Sequence, residues 1–239
     1  MHSEARRYSI ILNTRIENRI EHLYLDVKGL VTVGIGNLFD VEKKDDAQAL
    51  KIVTEELVTL PFVYKDDGKP ATKANIEAEW KLVKKKQESA KAGHTAFTGI
   101  TKLKLDEKAI NALYFKKHDE METKLKRQPD LLDFDKWPAD AQLGLLSMAW
   151  ALGPAAIHRG WPNFNAACRK QNFDAAADHC EISSANNRGV VERNHANRDM
   201  FKNAAAVIAG EGQNFAGDLF ARARLHYPQR LMKPMTIRD

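Results

Sequence analysis

Glu17, Asp26 and Thr32 follow one another as Glu-x8-Asp-x5-Thr, and the threonine runs directly into Val33-Gly34-Ile35-Gly36. Two carboxyl groups and a hydroxyl at such short range suit hydrolysis of a glycosidic bond. Cleavage with inversion needs one carboxylic acid to protonate the leaving oxygen. It also needs a carboxylate across the sugar, about 6.5–9.5 Å from the first, so that a water fits between them. A neighbouring hydroxyl can hold that water in line. The glycines let the backbone approach a bulky polysaccharide closely. In such a pair Asp26 is expected to stay ionised in a polar setting.

Positioning these residues takes a helix that feeds a small hairpin. Ile10, Ile11, Ile16 and Ile20 recur at roughly helical spacing, which predicts a helix over residues 4–22. The β-prone runs Leu23-Tyr24-Leu25 and Val31-Thr32-Val33 flank a turn at Lys28-Gly29 and predict a hairpin. Glu17 then sits at the end of the helix, Asp26 in the first strand and Thr32 in the second. The remainder reads as helical, over residues 45–60 (stopped by Pro61), 72–91, 106–126 with Asp106 as N-cap, 138–152, 163–170, 174–180 and 193–208. Residues 138–152 are the most apolar and predict a central core helix ended by Gly153-Pro154. Residues 92–101 and Asn186-Asn187-Arg188-Gly189 have loop composition.

The stretch ENRIEHLYLDVKGLVTVGIGNL, Glu17 to Leu38, resembles the catalytic signature of phage-type lysozymes, glycoside hydrolase family 24 and its pesticin-like relatives. Members carry Glu, Asp and Thr at this spacing, a Tyr two residues before the Asp (here Tyr24), and a T-[IV]-G-x-G run (here Thr32 to Gly36). The resemblance implies that Glu17 is the general acid and that Asp26 and Thr32 position or activate the hydrolytic water. It places Tyr24, Gly36 and Leu38 at the substrate. A looser likeness covers residues 138–153, 164–178 and Asn197-Arg198. There, Trp150 either floors a sugar subsite or belongs to the core, and Arg198 either contacts substrate or lies on the surface. Asn37 stands where the family usually has His, which removes an ion pair. Residues 62–103 form a longer segment than the compact phage enzymes have.

The implied fold is α+β, mainly α, a lysozyme-like bilobal domain over residues 1–239. A small lobe with the N-terminal β-hairpin spans about 18–103, including the extra segment 62–103; a helical lobe takes 1–17 and 104–239. The substrate cleft is expected between them. The implied reaction is muramidase cleavage of the β-1,4 bond between N-acetylmuramic acid and N-acetylglucosamine in peptidoglycan, with no cofactor and no metal. The competing readings are a lytic transglycosylase and a non-catalytic basic module that binds nucleic acid or another anionic polymer. The implied partners are glycan strands and, for a secreted antibacterial effector, an immunity protein; nucleic acid and membrane insertion are not expected, and a monomer is.

The bulk properties fit this without choosing it. With 37 Lys and Arg against 32 Asp and Glu, the chain carries a formal charge of +5, which favours polyanionic partners in general. Lys84-Lys85-Lys86 is either an anionic-polymer contact or, as expected, a solvated helix face. His22 either lines the cleft or, as expected, faces solvent. No P-loop, GxGxxG, GxSxG or HExxH motif occurs. Cys168 and Cys180 read as small buried apolar residues and not as a disulfide framework. The N-terminal residues lack a secretory apolar run. The expectation is therefore synthesis in a cytoplasm and action on the cell wall or in a periplasm, as a phage endolysin or as a secretion-system effector.

Overall fold

The computed structural model describes residues 1–41, 46–183 and 188–210. Asn186 and Asn187 of the loop expected over residues 186–189, the helix start expected at Asp45 and the tail beyond 210 lie outside these residues, whereas Arg188 and Gly189 are helical and not loop. The described chain is mainly helical with small antiparallel sheets. Its contacts divide it into two units: residues 1–12 with those from His118 onward, and residues 13–117.

Helix α1 runs from Ser3 to Glu17 and strand β1 from Ile20 to Leu25. The expected helix over 4–22 therefore stops five residues early, and Ile20 is a strand residue. Asn18 is the reason. Its φ of 63° is left-handed, the conformation that closes a helix and that Asn adopts more readily than most residues. The early stop leaves Glu17 as the last helical residue, directly before the sheet.

Strands β2 (Val31–Gly34) and β3 (Asn37–Leu38) complete a three-stranded antiparallel sheet ordered β1-β2-β3. Tyr24 pairs with Thr32, and Thr32 pairs in turn with Leu38. The β1–β2 turn closes through Asp26 and Gly29, whose N–H donates to the Asp26 carbonyl at 2.9 Å. Side chains alternate along a strand, so Leu23 and Leu25 point away from Tyr24, into the core that also takes Val31, Val33 and Phe39.

In the same unit, helices α2 (Asp46–Glu55) and α3 (Lys73–Lys84) follow. Strand β4 (Val63–Tyr64) pairs antiparallel with β5 (Leu103–Lys104), so the extra segment leaves and returns at one place. The Glu79 carboxylate of α3 reinforces that closure by accepting the backbone N–H of Lys102 at 2.6 Å and of Leu103 at 3.1 Å. Between them lie two short 3-10 turns, Gln87–Ala92 and His94–Phe97. Helix α4, Glu107–Lys126, begins where expected, with the Asp106 carboxylate accepting the Ala109 N–H at 2.7 Å.

The helical unit is built on α5, Ala139–Leu152, in which every residue from Ala139 to Ala149 is buried. Gly153 (φ +79°) ends it, and Pro154 opens α6, Pro154–Gly160. Helices α7 (Pro162–Arg169), α8 (Phe173–Asp178) and α9 (Arg188–Ile208) complete the unit. A Cβ added to Gly144 would lie 3.1 Å from the Phe201 ring, so α5 and α9 pack as closely as a glycine permits. Phe164, Phe173, Phe201 and Trp137 form the aromatic centre of this core. Cys168 and Cys180 are buried in it, unbonded, as expected. Burial pushes both thiols up, that of Cys180 to about 11.

Candidate active site

Glu17, Tyr24, Asp26, Thr32, Gly36 and Leu38 all belong to the unit of residues 13–117, and the three-stranded sheet orders them. Leu38, Thr32 and Tyr24 are successive cross-strand partners and so form one row across one face. Asp26, two residues beyond Tyr24, begins the turn at one end of β2. The β2–β3 turn at the other end brings Gly36 against the helix end. A Cβ on Gly36 would meet the Glu17 carboxyl carbon at 3.2 Å. Gly36 also has φ +68°, and Gly34 has φ +71°. Both glycines of the T-V-G-I-G run are thus fixed by backbone conformation, and Gly36 additionally by the acid beside it.

Asp26 has two jobs available. Its Oδ1 accepts the backbone N–H of Lys28 and of Leu30, both at 2.9 Å, which fixes the turn. Oδ2 has no partner among the described residues, and the side chain is half-buried. The carboxyl sits above the ordinary carboxylate range. Burial pushes it up, and the Leu30 and Lys28 N–H bonds pull it only part of the way back. The polar setting expected for it is therefore a partly buried one, because the turn folds the chain over its own side chain.

Thr32 is buried, and its hydroxyl donates to the Leu30 carbonyl at 3.1 Å, leaving the oxygen free to accept. The Tyr24 phenol is held far above its usual range by burial first, then by the negative charges of Glu17 and Asp26. Both carboxylates are accordingly within electrostatic reach of one ring. Asn37 uses Oδ1 to accept the Ile35 N–H at 3.2 Å, so it stabilises the β2–β3 turn locally.

Two expectations about neighbouring residues are overturned. His22 does not face solvent: it is buried, with Nε2 3.1 Å from the His94 carbonyl, and burial lowers its pKa. Lys84 is not part of a solvated face either. It pairs with the Asp40 carboxylate, which is buried and also accepts the Val31 N–H at 3.1 Å. A buried carboxylate requires such a partner, and this one ties the sheet to α3. Asp40, Gln87 and His94 carry roles that sequence reading missed. Gln87 Nε2 donates to the Gly29 carbonyl at 3.0 Å, at the β1–β2 turn.

Trp150 and Arg198 belong to the helical unit. Trp150 is the first partly exposed residue of α5, at the edge of the core and not within it. Arg198 makes an exposed ion pair with Glu181 at 3.3 Å. His118, Asp119 and Glu122 offer ligand atoms within 4.8 Å of one another, the arrangement a metal would need. Their carboxylates are already engaged, however, Asp119 by Arg6 and Glu122 by Lys126 and the Met1 amine. Among the described residues no helix is long and apolar enough to cross a membrane.

No protein-family model matches the chain, and no curated protein matches it. The likeness to the phage-type lysozymes rests on the residues quoted above.

Proposed function

We propose that this protein is a peptidoglycan muramidase of the phage-lysozyme kind, with Glu17 as general acid and Asp26 and Thr32 as the water-holding pair. One observation carries the reading. The Glu17 carboxyl is packed on Gly36 at one end of β2, and the open Oδ2 of Asp26 stands at the other end, with Thr32 and Tyr24 between. β2 is four residues long, about 13 Å of strand. Carboxyls set at the two ends of such a strand suit inversion, with a water between them, better than the closer pair of a retaining enzyme.

In the proposed reaction Glu17 protonates the glycosidic oxygen as the bond to the anomeric carbon breaks. A water donates one hydrogen bond to Asp26 Oδ2 and another to Thr32 Oγ1, so its lone pair points toward the sugar. Asp26 takes the proton as the new C–O bond forms. The steps use two carboxyls and a water and call on no cofactor. The two units would correspond to the lobes of a lysozyme-like fold. The protein would act on the wall or in a periplasm, after phage-type release or delivery as an antibacterial effector.

Glu17→Gln should lower turbidity clearing of purified peptidoglycan about 10³-fold, with an unchanged circular dichroism spectrum. Clearing at the parent rate ends the proposal. Mass analysis of the parent's products should give hydrated reducing ends; anhydro-muramic ends would make it a transglycosylase instead.

A further inference from the structure

The segment 62–103, which the family likeness does not cover, reaches the proposed catalytic row. Its turn Gln87–Ala92 sits at the tip of the hairpin through the Gln87–Gly29 hydrogen bond. The next turn, His94–Phe97, lies along β1. There the His94 carbonyl is held by His22 Nε2 at 3.1 Å. The His94 ring stands edge-on to the Tyr24 ring, centroids 6.2 Å apart at 72°. The β1–β2 register is irregular between Ile20 and Tyr24, and His22 and Tyr24 both lie against the His94 ring, with centroids 6.3 and 6.2 Å from it. Gly93, at φ +79°, provides the sharp turn that aims His94 at them. His94 is half-buried, so its ring lies against Tyr24 without being enclosed in the core.

We propose that His94 is a substrate-contacting residue: it extends the Leu38–Thr32–Tyr24 row with a hydrogen-bonding ring that engages a hydroxyl or N-acetyl group of the glycan, and His22 positions it. This rests on the muramidase reading and adds a contact brought by a segment outside the family likeness. The division of labour follows from the contacts. His22 holds the main chain of residue 94, whereas the side chain of His94 is what a sugar would touch. Loss of His94 should weaken binding and leave the chemical step alone. Loss of His22 should release the turn and remove the same contact indirectly.

The test uses the full chain carrying Glu17→Gln, so that substrate binds without turnover. The probe is stem-free glycan strands of alternating N-acetylglucosamine and N-acetylmuramic acid. Histidine ring resonances are followed by NMR, with His94 identified by its disappearance in His94→Gln. The expected result is a His94 shift on titration and a Kd raised about fivefold by His94→Ala, the loss of one ordinary hydrogen bond. In the active background His94→Ala should raise KM by a like factor with kcat unchanged, and His94→Asn should restore part of it. If the glycan binds and shifts the Tyr24 ring while His94 stays unmoved and His94→Ala keeps the parent Kd and KM, the proposal is overturned and the muramidase reading stands. If the parent clears no peptidoglycan and the Glu17→Gln chain binds no glycan, the muramidase reading falls and takes this one with it.

Discussion

The sheet around Thr32 and the helix pair α5–α9 both bury polar side chains, but on backbones of different kinds. Between Asn18 and Asp40 the chain enters the left-handed region at Asn18, Gly29, Gly34 and Gly36, and it buries His22, Thr32, Asn37 and Asp40. Along α5, residues 139–149 are all buried in regular helix, against an aromatic cluster and a glycine contact. The pair α5–α9 carries its buried polar groups, among them Asp140, Ser147, Arg193 and Asn197, on regular helix, while the sheet region enters the left-handed conformation four times within about twenty residues. Strained backbone and buried polar groups persist only where surrounding structure holds them, and they gather where geometry serves chemistry. The contrast is one of backbone conformation, and the left-handed residues fall beside the candidate residues Glu17, Asp26 and Thr32.

The largest effect should come from the regular side. Phe201→Ala removes a fully buried ring that packs on Phe164 and Phe173. It should lower the unfolding free energy by about 3–5 kcal/mol, measured by urea titration, while clearing per folded molecule stays at the parent value. A smaller loss of stability with a loss of activity would erase the distinction between the two regions.

Asp26→Asn sharpens it from the other side. An asparagine oxygen can still accept the Lys28 and Leu30 N–H bonds, so thermal stability should hold, but it cannot take a proton from water. Clearing should fall about 100-fold, equivalent to about 2.7 kcal/mol of barrier. Parent-level clearing would reduce Asp26 to a turn residue. Because burial raises this carboxyl, the acid limb of the parent's activity should also lie above the ordinary aspartate value of 3.8, read from kcat/KM against pH.

Gly36→Ala should cost about 1–2 kcal/mol for the left-handed backbone. Its methyl, 3.2 Å from the Glu17 carboxyl, should cut activity beyond what thermal melting accounts for. Equal losses in both measurements would mean that Gly36 serves the turn alone.

The smallest effect concerns pH. His118 is buried on α4 and its pKa is lowered, chiefly by burial, against the pull of Asp119. The folded state thus favours the neutral ring. The stability this contributes is present above the unfolded value near 6.5 and declines as pH falls below it. The melting temperature should drop from pH 7.5 to 5.5, and His118→Gln should flatten that slope. An unchanged slope in the variant assigns the dependence to other groups.

How much of this was legible in the sequence depends on how local each cause is. The hairpin, the core helix over 139–152, the Asp106 cap and the Gly153-Pro154 stop were readable, because period, glycine and proline act within a few residues. The end of α1 was missed because a non-glycine residue, Asn18, takes the left-handed conformation there. β3 is two residues long, and β4 and β5 pair from forty positions apart; neither has a local signature. His22 and Lys84 were misread for the same reason. Their partners, His94 and Asp40, come from distant parts of the chain, and exposure cannot be inferred before the partner is known. In the candidate site, the spacing of 17, 26 and 32 was legible. The contribution of residues 87–97 was not, since it depends on how a long excursion folds back.

The two thiols of the helical unit have a consequence for where the protein can work. Cys168 is fully enclosed, and Cys180 is nearly so, with its S–H donating to the Ala177 carbonyl at 3.2 Å. Burial keeps both protonated near neutral pH, and the thiolate is the form that reacts with oxidants and exchanges disulfides. No covalent bridge has to form for this unit to fold, and none is invited by air or glutathione. The same native state should therefore hold in reducing and in oxidising surroundings alike.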